Sequence, residues 1–157
     1  MTNKEIKIAY VEYDSLEQLD SKDLELAQAA IEATALSYAP YSNFNVGAAV
    51  LFEDGVIVKG ANQENAAYPS GMCAERTALF YASASHPDKA MTAIAIAAGQ
   101  NGKICEMPVT PCGACRQVMA QYQTKSARPM EILLVGDKKI WKFNKVDDLL
   151  PLIFDSI

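Results

Sequence analysis

The order of predicted elements along the chain indicates an α/β domain in which helices cover both faces of a mixed sheet. A helix comes first, a β-hairpin follows, and helices and strands then alternate. This alternation is typical of layered α/β folds. At 157 residues the chain suits a single domain, and half of its residues are hydrophobic while about a fifth are charged.

The N-terminal region contains an arm and the first helix. Residues 5–13 alternate weakly between polar and apolar side chains, which favours a short strand or an extended arm. Asp20 or Ser21 can cap a helix that runs to about Tyr38. We expect Pro40 to end this helix, because the residue before a proline is disfavoured in the helical conformation.

A β-hairpin follows the first helix. Residues 46–52 and 56–60 are strand-like, and the pair Asp54-Gly55 between them is a strong signal for a tight turn. Residues 61–71 are mostly polar and predict a loop.

The second half of the chain alternates between helices and strands. Apolar spacing and capping residues predict helices at residues 73–85, 111–123 and 146–152. Short apolar runs predict strands at residues 92–98, 130–135 and 140–143. The run at 92–98 is apolar enough for a buried central strand, and a loop at 100–108 follows it.

Charge and composition oppose several classes of function. The formal net charge of −5 disfavours binding to the phosphate backbone of nucleic acids. No apolar run approaches the ~20 residues of a membrane span, and the N-terminal region lacks an apolar segment of the signal-peptide type. We therefore expect a cytoplasmic protein with reduced cysteines that binds neither nucleic acid nor membrane.

Cysteines in two separate segments form the pattern with the clearest chemical meaning. Glu75 follows Cys73 by two positions, and Cys112 and Cys115 form a Cys-x-x-Cys pair. Three thiolates can bind zinc and leave a fourth position open for water, which marks a catalytic rather than a structural site. Glu75 is then placed to carry protons. Zinc enzymes that deaminate nucleobases use this layout.

Simpler explanations apply to single parts of this pattern. A lone Cys-x-x-Cys pair also occurs in redox and structural zinc sites, but a structural site needs a fourth ligand. The spare cysteine, Cys105, has no suitable spacing, so we expect an ordinary thiol; we expect no metal role for His86. Arg76 is our candidate for donating to the thiolates, whereas Arg116 could instead be a solvated surface residue.

Two motifs, Cys-Ala-Glu at 73–75 and Pro-Cys-Gly-Ala-Cys at 111–115, belong to a larger pattern. Similar runs occur in family order at residues 38–49, 62–68, 73–78, 111–118 and 148–151. On these runs the chain resembles the small, homotetrameric type of cytidine deaminase across residues 21–157. The resemblance implies a three-layer α/β/α sandwich with a five-stranded mixed sheet. Residues 1–20 would be an N-terminal extension and residues 21–157 a single catalytic domain.

The resemblance also implies a role for each residue around the metal. Cys73, Cys112 and Cys115 would bind one zinc ion per subunit, and Glu75 would act as the catalytic proton shuttle. Arg76 would offset the charge of the third thiolate.

Substrate contacts implied by the resemblance fall on a second set of residues. Phe44 would stack on the pyrimidine, the Ala74 amide would help to hold the base, and Asn62 and Glu64 would bind the ribose 3′-hydroxyl. Tyr68 and Phe154 would contribute their side chains to the pocket of a neighbouring subunit in a homotetramer. Without the resemblance, Phe44 is more simply a core residue, and Asn62 and Glu64 are solvated loop residues.

The implied activity is the hydrolysis of cytidine and 2′-deoxycytidine to uridine and 2′-deoxyuridine with release of ammonia, in pyrimidine salvage. No basic cluster is present for a 5′-phosphate, which favours a free nucleoside. Three alternatives stay open: deamination of another substrate, such as an aminopyrimidine nucleoside antibiotic or guanine; a polynucleotide-editing or nucleic-acid-binding module; and a zinc-stabilised domain without catalysis. Asn62 and Glu64 oppose guanine, the acidic charge opposes polynucleotides, and Glu75 opposes a purely structural role.

Overall fold

The computed structural model describes residues 1–155, so residues 156 and 157 of the predicted catalytic domain lie outside the described residues. Its α-helices are α1 (Ser21–Ala33), α2 (Ala74–Ser85) and α3 (Gly113–Lys125). Its strands are β1 (Val11–Tyr13), β2 (Phe44–Phe52), β3 (Ile57–Ala61), β4 (Met91–Gln100), β5 (Lys103–Ile104), β6 (Glu131–Val135) and β7 (Ile140–Phe143). Within residues 1–155 no helix is both long and apolar enough to cross a membrane.

All of these strands form one mixed sheet in the order β1-β7-β6-β4-β2-β3, with β5 paired to the end of β4. Strands β4 and β6 run parallel, and the other paired strands are antiparallel. The predicted five-stranded sheet was wrong, because the sheet has seven strands.

Two short strands account for the difference. Strand β1 belongs to the predicted N-terminal extension and covers the outer edge of β7, where unpaired backbone groups would otherwise be exposed. Strand β5 lies in the predicted 100–108 loop and folds back on Gly99 and Gln100. The turn between them contains Asn101 and Gly102, which both have positive φ angles, as a tight hairpin turn requires.

Helices cover both faces of the sheet, as predicted. Alternate residues of β2 point to opposite faces: Ala49 packs in the cluster with α1, whereas Val50 packs in the cluster with α2 and α3. Helix α1 approaches β2 so closely that a Cβ atom at Gly47 would lie 2.2 Å from the carbonyl oxygen of Ala30. Strand β4 is buried on both faces, which confirms the prediction of a central strand.

Two predicted helices are shorter than expected. Helix α1 ends at Ala33 and continues only as a 3₁₀ turn over Thr34–Leu36. Tyr38 is outside the helix because its backbone bonds to the chain after β3, donating to Asn62 O at 3.0 Å and accepting from Glu64 N at 2.8 Å. The predicted helix at 146–152 is a 3₁₀ turn over Val146–Asp148.

Candidate active site

The N-termini of α2 and α3 bring three cysteines together. Cys73 is the N-cap residue of α2, Cys112 is the N-cap residue of α3, and Cys115 lies in the first turn of α3. Their sulfur atoms all lie within 4.8 Å of one another, and those of Cys112 and Cys115 are 3.5 Å apart. Neither N-cap side chain caps a backbone amide of its own helix, so first-turn amides and positive dipole ends lie beside the sulfurs.

This donor set fits a zinc ion. Sulfur ligands ~2.3 Å from a tetrahedral zinc lie ~3.8 Å apart, close to the 3.5 Å between the sulfurs of Cys112 and Cys115. The buried Nε of Arg76 has no hydrogen-bond partner within residues 1–155, while Nη2 of the same guanidinium donates to Cys73 Sγ at 3.5 Å. Negative charge on the sulfurs would compensate this partly buried cation. Cys105 is outside the cluster, as expected.

The sulfurs are close enough to share protons. The hydrogen bond with Cys115, followed by the interactions with Arg76, lowers the pKa of the Cys73 thiol to about 5 against the opposing effect of burial. The same hydrogen bond, together with burial, raises the pKa of the Cys115 thiol. A metal ion that binds thiolates displaces such protons.

Glu75 lies in the first turn of α2, beside the sulfur cluster. Its side chain is buried, with 5% of the residue exposed. Burial raises the pKa of its carboxyl above the ordinary 4.5, and the charge of Cys73 adds to this increase. A buried carboxyl group whose pKa is raised above its ordinary value is suited to accept and return protons.

A cleft of about 650 Å³ opens above these residues. Its volume suits a small-molecule ligand, since such sites span ~300–1,000 Å³. Most of the predicted site residues line it, namely Phe44, Asn62, Glu64, Tyr68, Cys73, Ala74, Glu75, Arg76 and Cys112. Cys115 is buried within the sulfur cluster.

Phe154 does not line this cleft of its own chain. Its residue is 69% exposed, and its backbone carbonyl accepts a hydrogen bond from Gln117 Nε2 at 2.7 Å. Tyr68 lines the rim, is 78% exposed, and lies edge-on to Tyr41 with ring centroids 6.3 Å apart. Both aromatic rings are therefore accessible on the surface of the single chain.

Asn62 is held by three hydrogen bonds to neighbouring strands and loops. Its Oδ1 accepts from Val46 N at 2.8 Å and from the Ser37 hydroxyl, while its Nδ2 donates to Phe44 O at 2.9 Å. The Val46 amide needs an acceptor, which fixes the orientation of the Asn62 amide. Since its oxygen already accepts two bonds, Asn62 has only its second N–H to offer to a ligand.

Glu64 is held in the cleft wall by the turn before β2. Its Oε2 accepts from Tyr41 N at 2.8 Å and Ser42 N at 3.3 Å, and its Oε1 accepts from the Ser42 hydroxyl. The hydrogen bond from the Ser42 hydroxyl, more than those from the two amides, lowers the pKa of the Glu64 carboxyl. Glu64 thus offers acceptor oxygens of a carboxylate next to the amide donor of Asn62.

Sequence reasoning missed part of the cleft wall. The additional lining residues are Tyr41, Ser42, Val46, Gln63, Asn65, Gly71, Met72, Ile96, Val109 and Thr110. Gln63 and Met72 exchange two backbone hydrogen bonds of 2.9 Å, which hold Cys73 near Asn62 and Glu64. The contact is formed between residues nine positions apart, and no local signal predicts it.

Arg116 is not the solvated surface residue that the sequence suggested, because it is partly buried and bonds to two backbone carbonyls. Its Nε donates to Pro111 O at 2.8 Å and its Nη1 to Leu149 O at 2.9 Å. It therefore ties the segment before Cys112 to the C-terminal region, and Arg76 is the arginine that contacts sulfur.

The layered α/β fold and a sulfur triad beside a buried glutamate define a zinc-binding enzyme of the deaminase class. Residues 20–128 match the family described as the cytidine and deoxycytidylate deaminase zinc-binding region, and the chain belongs to this family. The cytidine deaminase of Halalkalibacterium halodurans is 51% identical over 131 residues, which cover 83% of this chain and 92% of that protein. The cytidine deaminase of Sporosarcina psychrophila is 43% identical over 125 residues, or 80% and 85% of the two chains.

Solved structures of cytidine deaminases have a fold similar to that of this chain. The crystal structure of cytidine deaminase from Burkholderia pseudomallei superposes with a TM-score of 0.70 at 41% identity, covering 83% of this chain and 97% of that one. The structure of cytidine deaminase from Mycobacterium tuberculosis superposes with a TM-score of 0.69 at 31% identity, covering 87% and 100%.

Proposed function

We propose that this chain is a zinc-dependent enzyme that hydrolyses cytidine and 2′-deoxycytidine to uridine and 2′-deoxyuridine, releasing ammonia. The observation that carries the proposal is the buried carboxyl of Glu75 beside a three-sulfur cluster in a cleft of nucleoside size. Family membership and relatives named cytidine deaminase support this choice of substrate.

The proposed ligands of zinc are Cys73, Cys112 and Cys115. When bound, zinc supplies Lewis-acid activation of a water molecule. Arg76 would balance the excess negative charge of three thiolates, because its guanidinium already lies within hydrogen-bond distance of Cys73 Sγ.

Glu75 is the proposed proton carrier. Its carboxylate would accept a proton from the attacking water and return it to N3 of the pyrimidine, which makes C4 more electrophilic. The same carboxyl would then carry the remaining proton of the added hydroxyl to the amine, so that the C4–N bond breaks, ammonia leaves and the C4 carbonyl of uridine forms. The raised pKa of Glu75 favours such exchange in both directions, because burial brings the protonated form closer in free energy to the carboxylate.

The remaining cleft residues would orient the nucleoside. Phe44 is half-buried on the cleft wall and would stack on the pyrimidine ring, while the first-turn amide of Ala74 would hold the base. A sugar 3′-hydroxyl can accept from the free N–H of Asn62 and donate to Glu64 at the same time. This pairing recognises a hydroxyl, since it requires one acceptor and one donor on the same ligand atom.

We also propose that the enzyme is a cytoplasmic homotetramer of pyrimidine salvage, with pockets shared between subunits. The exposure of Tyr68 and Phe154 supports this arrangement, because large exposed aromatic side chains are typical of interfaces. Residues 21–157 would form the catalytic domain and residues 1–20 an extension, in keeping with the family match beginning at residue 20.

The test is an activity measurement on Glu75→Ala together with its zinc content. We expect turnover of cytidine to fall by at least ~10⁴-fold, the upper range for one acid–base group, while zinc stays bound. Glu32→Ala is the matched control, because the exposed Glu32 carboxylate pairs with Lys59 on the surface and does not line the cleft. Substantial residual activity in Glu75→Ala would remove the role proposed for this residue.

Substrate choice needs a separate measurement. Release of ammonia is followed for cytidine, 2′-deoxycytidine, an aminopyrimidine nucleoside analogue and guanine. We expect activity on the first two and none on guanine, which lacks the sugar that Asn62 and Glu64 would bind. Absence of activity on both cytidine nucleosides would exclude the proposed function.

A further inference from the structure

The geometry points to Ser42 as a positioning residue that holds the Glu64 carboxylate in place for the sugar hydroxyl. This inference rests on the proposed function, because it takes the ligand of Glu64 to be the 3′-hydroxyl of a nucleoside. Selectivity for that hydroxyl would then depend on Ser42, which contacts both Glu64 and Phe44.

A single hydroxyl connects the two surfaces on which a nucleoside would rest. The Ser42 hydroxyl donates to Glu64 Oε1 and accepts from the backbone amide of Phe44 at 3.0 Å. Glu64 is the proposed sugar acceptor, and Phe44 is the proposed platform for the base. Ser42 therefore fixes the position of one relative to the other.

The backbone of this segment is fixed independently of Glu64. Asn43 adopts a φ of 53°, in the left-handed region, and its amide donates to Ala39 O at 3.0 Å. Gln100 Nε2 donates to Ser42 O at 3.4 Å from the end of β4. The turn thus presents the amides of Tyr41 and Ser42 and the Ser42 hydroxyl on the side that faces Glu64.

The bonds already made to Glu64 leave room for few ligand donors. A carboxylate has about four lone-pair positions, and Glu64 accepts from Tyr41 N and Ser42 N on Oε2 and from Ser42 Oγ on Oε1. The remaining position lies on Oε1, the oxygen held by the Ser42 hydroxyl. Removal of that hydroxyl frees Oε1 to take a water donor in place of Ser42, so the acceptor geometry offered to the sugar is lost.

The experiment compares cytidine with 3′-deoxycytidine in the wild-type enzyme and in Ser42→Ala. We expect KM for cytidine to rise about tenfold, equivalent to ~1.4 kcal/mol of binding, with kcat little changed. KM for 3′-deoxycytidine should not change, because this substrate lacks the hydroxyl in question. The preference for cytidine, measured as a ratio of kcat/KM values, should therefore fall about tenfold.

Two further variants control for disturbance of the turn. Ser42→Thr keeps the hydroxyl and should restore most of the preference for cytidine. Ser70→Ala removes an exposed serine that does not line the cleft and should behave like the wild type. Thermal unfolding of all variants establishes that each is folded.

The possible results separate failure of this inference from failure of the proposed function. If the wild-type enzyme does not deaminate cytidine, the proposed function is wrong. If the wild type is active but Ser42→Ala retains the full preference for cytidine, Ser42 does not position Glu64. An equal rise in KM for both substrates, or a loss confined to kcat, would also overturn the assignment.

Discussion

The guanidinium of Arg76 contacts the sulfur of Cys73 from one turn further along the same helix, with Nη2 and Sγ 3.5 Å apart. This local pair supplies a positive charge within a cluster of three sulfurs. Since three thiolates carry one negative charge more than a divalent cation neutralises, the arginine is placed to remove the excess.

Replacement of Arg76 by glutamine should lower the rate of deamination. The variant keeps a polar side chain but loses the charge, so the thiolates would become more basic and the site less able to activate water. We expect kcat to fall by about 10–100-fold, the usual range for groups that support metal ligands. Steady-state kinetics and zinc content of the same preparations provide the measurement.

Arg128→Gln is the matched control for this experiment. Arg128 forms an exposed ion pair with Glu53, with a distance of 3.5 Å between Nη1 and Oε2. This variant should keep wild-type kcat. If Arg76→Gln retained full activity with zinc bound, charge compensation by Arg76 would not contribute to catalysis.

Substitution of a cysteine in the sulfur cluster should abolish tight zinc binding. Cys112→Ser leaves only Cys73 and Cys115 as sulfur ligands, and a serine hydroxyl is a weak zinc ligand at neutral pH. We expect zinc to fall from about one per chain to a small fraction of that. Elemental analysis after dialysis against a mild chelator measures this, and cytidine deaminase activity should fall in parallel.

Cys105→Ser provides the comparison, because Cys105 is the cysteine outside the cluster. It should keep both zinc and activity. Equal loss of zinc in the two variants would mean that the metal is bound elsewhere or that cysteine loss disturbs the fold as a whole.

The sequence predicted best those parts of the site that depend on neighbouring residues. Cys73, Glu75 and Arg76 lie within one helical turn, so the start of α2 alone sets their relative positions. The relative positions of Cys112 and Cys115 are likewise set by the start of α3. Hydrophobic runs also predicted the central strand, because burial on both faces demands apolar side chains at consecutive positions.

Features that depend on distant contacts were not predictable in the same way. The hydrogen bonds of Asn62 with Ser37 and Val46 join segments that are distant in sequence, and no periodic pattern of residues predicts them. The exact end of α1 depends on the pairing of Tyr38 with residues beyond β3. Strand β1 exists because β7 offers an open edge, which is a property of the assembled sheet rather than of residues 11–13.

Deamination should decline at acidic pH as Glu75 becomes protonated. The carboxylate is the form that accepts a proton from water, and burial raises its pKa above 4.5. Activity is therefore full above the raised pKa and falls as pH decreases through it. We expect the acidic limb of the pH profile of kcat/KM, which reports groups of the free enzyme, to lie above pH 4.5.

Zinc content and thermal unfolding at each pH distinguish protonation of Glu75 from loss of the metal. A limb at or below pH 4.5, with zinc retained throughout, would contradict a raised pKa for this carboxyl.

The N-terminal arm should stabilise the fold mainly through aromatic packing. The Tyr10 ring lies 5.5 Å from that of Trp141 and 5.2 Å from that of Phe143, measured between centroids. Lys139 also pairs with Glu12 at 2.9 Å and with Asp14 at 2.6 Å. Exposed ion pairs contribute little because water and salt screen them, so we expect the rings to dominate.

The variants Tyr10→Ala and Asp14→Ala compare the contribution of aromatic packing with that of the ion pairs at the same edge of the sheet. Tyr10→Ala should lower the free energy of unfolding by about 1–2 kcal/mol, whereas Asp14→Ala should leave it nearly unchanged, because its ion pair is exposed to solvent. Urea unfolding at a fixed protein concentration, followed by the fluorescence of the single tryptophan, Trp141, measures both. Activity should be unchanged, because neither residue lines the cleft. A larger loss in Asp14→Ala than in Tyr10→Ala would mean that the ion pairs, rather than the rings, attach the arm to β7.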